Sequence, residues 1–152
     1  AGVLFRSRSG YMSNNKLQQF MLDLNGNQLS SGMCIRAEMF DEELEVVCIT
    51  VEDRDEFPIY MTIDDGQILC TSHLFSEEEV DPSQRIAMME DMLMLNISIP
   101  LSAFSKVGNQ YVMFGALSPN SCLDDVVHEV EVLSDNVLEA VEAVSIYLKE
   151  AA

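Results

Sequence analysis

The chain of 152 residues carries 26 acidic and 8 basic side chains, a formal net charge of -18, and 48% of it is hydrophobic. That length suits one domain with its own core, and the apolar content excludes a disordered acidic tail. The charge excludes a surface built to neutralise nucleic-acid phosphates or anionic lipid, which leaves a soluble, acidic, globular domain.

Ser13 to Leu24 has helical spacing, with Leu17, Phe20, Met21 and Leu24 on one stripe, Ser13 as its cap and Asn25-Gly26-Asn27 as its stop. Strands follow at 33–40, at 44–52, where LEVVCITVE is β-branched and apolar almost throughout, at 57–63 and at 67–74. Asp64-Asp65-Gly66 is a tight-turn signal between the last two. Asp81 and Pro82 then open a second helix. Its body, RIAMMEDMLML at 85–95, is apolar on most faces, so it should bury one side on the sheet and offer the other to a helix, a second subunit or a partner. Residues 101–107 and 110–117 form a hairpin around Gly108-Asn109. From Ser121 to about Glu150 an apolar stripe through Val126, Val130, Leu133, Val137, Val141, Val144 and Leu148 predicts one long helix. At 1.5 Å per residue it would run about 45 Å, longer than a small sheet covers, with its end free for dimerisation. The class is α+β: a mostly antiparallel sheet with an N-terminal helix, an apolar middle helix and a long C-terminal helix.

Residues 1–11 hold Arg6 and Arg8 and no acid, and Met12 then opens a helix-capping sequence. This marks 1–11 as an appended remnant and 12–152 as a single domain, with a basic N-terminal arm as the competing reading. The apolar run at 3–5 is too short for a signal peptide, and no run approaches the roughly 18 apolar residues of a membrane span. Cys34, Cys48, Cys70 and Cys122 lack metal-binding spacing, so we expect free thiols, mostly buried, in a reducing cytoplasmic setting.

No cofactor motif is present: neither a phosphate-binding glycine loop nor a nucleophile elbow occurs. His73 and His128 stand on a strand and a helix without the nucleophile and carboxylate of a triad, and read as structural or surface histidines. The acidic runs at 41–45, 52–56, 64–65 and 77–81 lack the alternation and central glycine of a calcium loop. They read as solvated turns and helix starts, or as an acidic face that steers a basic protein partner. Met88, Met89, Met92 and Met94 are the most unusual local feature. Methionine is adaptable and over-used on surfaces that accept varied partners, so the choice is between core and a groove for a dimer or partner. Met88, Met89 and Met92, with Glu77, Glu78 and Glu79 ahead of them, are the candidate contact residues.

The phrases Asp53-Arg54-Asp55-Glu56-Phe57-Pro58-Ile59, Gln67-Ile68-Leu69-Cys70, Ile99-Pro100-Leu101-Ser102-Ala103-Phe104 and Gly115-Ala116-Leu117-Ser118 resemble those of the YjfI-like family of bacterial proteins of unknown function, from Met12 to about Leu148. The family carries no established catalytic residues, so none transfers. The resemblance implies a cytoplasmic accessory of phage-shock-protein-A-type envelope stress systems. In element order the chain is also similar to type III secretion chaperones, apart from one extra strand in the first meander. That likeness implies a homodimer that holds a partner's segment on apolar patches. The expected function is therefore a non-enzymatic, acidic, chaperone-like or adaptor domain with a basic protein partner. It would neither bind nucleic acid nor insert directly into a membrane. A metal-dependent hydrolase using the acidic loops and an acidic nucleic-acid mimic are the alternatives.

Overall fold

The computed structural model describes residues 8–150, with side chains from residue 15 onward; most of the segment read as a remnant, residues 1–7, lies outside the described residues. Helix α1 (Arg8–Leu24) leads into four strands, β1 (Ile35–Asp41), β2 (Val46–Val51), β3 (Ile59–Ile63) and β4 (Ile68–Ser76). Two single 3-10 turns, Glu77–Glu79 and Pro82–Gln84, precede α2 (Arg85–Asn96). Strands β5 (Ala103–Val107) and β6 (Gln110–Leu117) and helix α3 (Leu123–Val144) complete the chain, with a last 3-10 turn at Ser145–Tyr147. All six strands pair antiparallel in the order β1-β2-β3-β4-β6-β5, so only the step from β4 to β6 departs from chain order.

Alternation along the strands explains the layers. Ile35, Val47, Ile49, Ile59, Met61, Ile68, Cys70 and Met113 point to one face and share a core with Leu17, Phe20 and Leu24 of α1 and with Val126, Val130, Leu133 and Val137 of α3. Each such aliphatic side chain, fully buried, contributes about 1.5–3 kcal/mol relative to exposure. The alternate residues, among them Glu38, Phe40, Tyr60 and His73, are exposed or half-buried. The helices thus cover one face of the sheet and leave the other open.

Three helix boundaries differ from expectation. The first helix begins at Arg8, so Ser13 lies inside it and is not its cap. Asp81 caps the turn at Pro82–Gln84, accepting from the Ser83 amide at 2.9 Å, and α2 proper starts at Arg85. The final helix ends at Val144, at 22 residues, because the chain after it turns back. Leu148 bridges to Val80, and the Lys149 amide donates to the Glu79 carbonyl at 2.8 Å. Its end is therefore clasped to its own chain. Cysteine burial differs too. Only Cys70 is buried; Cys48 is half-buried, while Cys34, just before β1, and Cys122, at the N-cap of α3, are exposed.

Candidate functional site

Helix α2 packs through Met88 and Met92, which are 0% and 5% exposed. These two methionines lie four apart on the helix, one turn along the same face, which is the spacing that puts both on the core. Met88 is therefore core. The opposite side of α2 is open. Ile86 is 75% exposed, Leu93 73%, Met94 62% and the following Ile97 94%. A sequence apolar all round did not reveal which face would stay uncovered, and none of these four except Met94 stood out beforehand. Between the two faces, Met89, Met92, Leu93, Phe104, Lys106 and Tyr111 line a shallow apolar groove of about 210 Å³.

A polar hub closes the rim of this groove. The Tyr111 hydroxyl and Lys106 Nζ both donate to Glu77 Oε2, the latter at 2.9 Å, and Arg85 Nε donates to Oε1. The hydroxyl, the ammonium and the guanidinium hold the Glu77 carboxyl down to about 2. Lys106 also sits 5.1 Å from the centroid of the Tyr111 ring. The three glutamates ahead of α2 thus have different surroundings. Glu77 is engaged by its own chain, and Glu79 closes a capping box with Ser76. Glu78 is exposed to solvent.

The C-terminal clasp bears on α2 as well. The Asp81 amide donates to the Tyr147 carbonyl at 3.0 Å, and the Tyr147 hydroxyl donates to Asp91 Oδ2 at 3.0 Å. One residue thereby holds both the turn ahead of the apolar helix and the middle of the helix itself.

A second unusual group lies on α3. Glu129 of α3 is 2% exposed, and its Oε1 has no hydrogen-bond partner. Burial pushes its carboxyl up to about 7. It lies near Cys70, whose thiol is driven upward by burial and secondarily by the Glu129 charge. Sequence reading passed over Glu129, although it falls on the same stripe as Val126, Val130 and Leu133. That position on an apolar stripe was the available signal.

The histidines are exposed and apart: His73 stands edge-on to Tyr60, and His128 is on α3. Among the described residues no group of three or more His, Cys, Asp or Glu gathers as metal ligands. Among them, too, no helix is long and apolar enough to cross a membrane.

Solved structures share this architecture. YbjN from E. coli, described as a proposed transcription regulator, is similar with a TM-score of 0.60 at 16% identity, over 91% of this chain and 96% of its own. A chain of the ExsC–ExsE complex is similar with a TM-score of 0.53 at 8% identity, over 95% of this chain and 99% of its own. At these identities the likeness concerns the fold alone, the α+β architecture of an antiparallel sheet with an N-terminal helix and a long C-terminal helix that the element order predicts. No curated protein matches the chain. The expectation of a bacterial family without assigned function agrees with the sequence comparison: this chain belongs to the family described as "Uncharacterized protein conserved in bacteria (DUF2170)", whose profile matches residues 14–148.

Proposed function

We propose that this chain is a non-enzymatic, chaperone-like or adaptor protein, and that the open face of α2 is its dimer or partner surface. The observation that carries the reading is Ile86, Leu93, Met94 and Ile97 standing exposed together beside the groove of Met89 and Met92. Large apolar side chains gathered on a monomer surface are a liability unless something covers them. The ExsC–ExsE complex, a protein assembled with a protein on a similar fold, supports a protein partner. Homodimerisation through α2 uses that face, with Met89 and Met92 at its border and Met88 fixing the helix from below. Glu78 and the acidic turns steer a basic partner and make association faster at low salt. In its most specific form the partner is of the phage-shock-protein-A type, with basic helical segments, met in the cytoplasm as part of an envelope-stress response.

Light scattering tests the surface. Met89→Glu, and Leu93→Glu as the exposed counterpart that leaves the core intact, should reduce a dimer to monomer or lower partner capture at least tenfold, since a charge buried in an interface is costly. Capture from the native organism should also weaken between low and high salt. Parent mass and parent capture in both variants would remove α2 as the surface.

A further inference from the structure

The open face of the sheet carries a surface of a different kind. Phe40 of β1, Tyr60 of β3 and His73 of β4 gather there, with Phe40–Tyr60 ring centroids 5.1 Å apart at 65° and Tyr60–His73 5.8 Å apart at 84°. Val46 and Pro58 extend the apolar floor and Glu56 forms a wall, around an open pocket of about 530 Å³. None of these six side chains belongs to the core cluster. Core packing therefore does not account for the gathering, and Phe40 is left 64% exposed.

The charge at this pocket has one sign. Among the described residues the salt bridges engage Asp55, Asp135 and Glu77, and Glu56 is in none of them. Glu38 faces the same side, since it pairs with Cys48, which pairs in turn with Tyr60. Arg36, the basic residue of this part of β1, is held to Asp55 at 3.4 Å. Aromatic rings beside a free carboxylate suit one side chain above others. A guanidinium is planar and weakly hydrated, stacks on aromatic faces and donates to carboxylates in a fixed fork. An uncharged segment laid here would strip water from Glu56 and Glu38 and return no partner. A second copy of this chain would bring a net charge of -18 against an acidic face.

We propose that this face docks an arginine-bearing, extended segment of a partner protein, with the guanidinium against the Tyr60 ring and paired to Glu56. The proposal rests on the reading that the chain binds proteins, and not on α2 as the surface.

The probe is a fluorescein-labelled octapeptide of alternating arginine and serine, with citrulline and lysine versions, titrated against the full chain by anisotropy and mapped by amide shifts. The arginine peptide should bind roughly tenfold tighter than the citrulline one, and tighter than the lysine one by about threefold, in line with cation–π and forked pairing. Tyr60→Ala should weaken it about tenfold, and Glu56→Gln, an exposed change that spares folding, about threefold. Leu93→Glu should leave it unchanged, so failure of the α2 reading and failure of this one are separate results. Shifts should centre on Tyr60, Thr71 and His73. The proposal is overturned by absence of binding, by equal affinity for arginine and citrulline peptides, by shifts confined to α2, or by Tyr60→Ala converting a dimer to monomer, which would assign the face to a second copy.

Discussion

The carboxyl group of Glu129 on α3 lies against Gly115 of β6, so close that a β-carbon at Gly115 would fall 1.7 Å from Oε1 and 2.8 Å from Cδ. A glycine inside a strand often marks such an approach. The Leu101 carbonyl, 3.1 Å from the same point, closes the other side. Gly115→Ala should therefore destabilise the protein by about 2–3 kcal/mol through overpacking. Shortening the intruding side chain in the double variant Gly115→Ala/Glu129→Ala should recover part of that loss, since contacting residues couple. Urea denaturation measures both, and an unchanged midpoint in Gly115→Ala would show that the helix can simply shift away.

The same carboxyl gives a pH dependence with a definite sign. Its folded value, raised by burial to about 7, lies above the ordinary value of 4.5. Below 4.5 both folded and unfolded chains hold the proton and nothing is lost. From 4.5 upward the unfolded chain ionises first, and stability falls as pH rises through 7; about a unit above 7 the loss is complete. It amounts to something on the order of 3 kcal/mol. The titratable neighbour facing Glu129 from β4 is Cys70, which stays a neutral thiol through this range. Glu129→Gln and Glu129→Met should be more stable than the parent at pH 8 and should flatten the slope between pH 5 and 8. A parent-like slope in both would mean that another group carries it.

Glu77 predicts the opposite slope at acid pH. Its carboxyl is held at about 2 by the Tyr111 hydroxyl first, then by Lys106 and Arg85. A depressed carboxyl contributes stability above its unfolded value and loses it as pH falls toward the folded one. The window here is 4.5 down to about 2. Glu77→Gln should lower Tm by roughly 2–6 °C at pH 7, as charge-assisted hydrogen bonds are lost, and should remove this part of the acid transition. Lys106 should then loosen over the Tyr111 ring, which a change in tyrosine fluorescence would report.

Much of this architecture is legible in the sequence, because its strands are β-branched runs closed by strong turn signals. Asp64 illustrates this, its Oδ1 accepting from the amides of Gly66 at 2.7 Å and Gln67 at 2.9 Å. The apolar spacing overstates the final helix, since Leu148 continues it while a tertiary bridge to Val80 draws the chain away. The aromatic pocket was hidden for a different reason. Phe40, Tyr60 and His73 alternate with core residues on three separate strands, and only the register of β1 through β4 brings them together. Helix α2 gave too little contrast: with apolar side chains on most faces, periodicity could not separate Met88, which is buried, from Leu93, which is not.

The clasp at the C-terminal end makes a last prediction about α2. Tyr147 joins two parts of the chain at once, its carbonyl accepting from the Asp81 amide and its hydroxyl donating to Asp91. That donation also raises the Tyr147 hydroxyl above its ordinary value. Tyr147→Phe removes only the second link, and should speed amide exchange across the middle of α2 while leaving the strands β2 and β3 unchanged, because local opening draws on local contacts. Leu148→Asp, which places a charge where Leu148 packs on the core cluster, should release the whole clasp and expose the Asp81 and Lys149 amides as well. If exchange in α2 is the same in Tyr147→Phe as in the parent, the packing of Met88 and Met92 and the Arg85–Glu77 pair anchor the helix without Tyr147, and the clasp serves only the chain end that makes it.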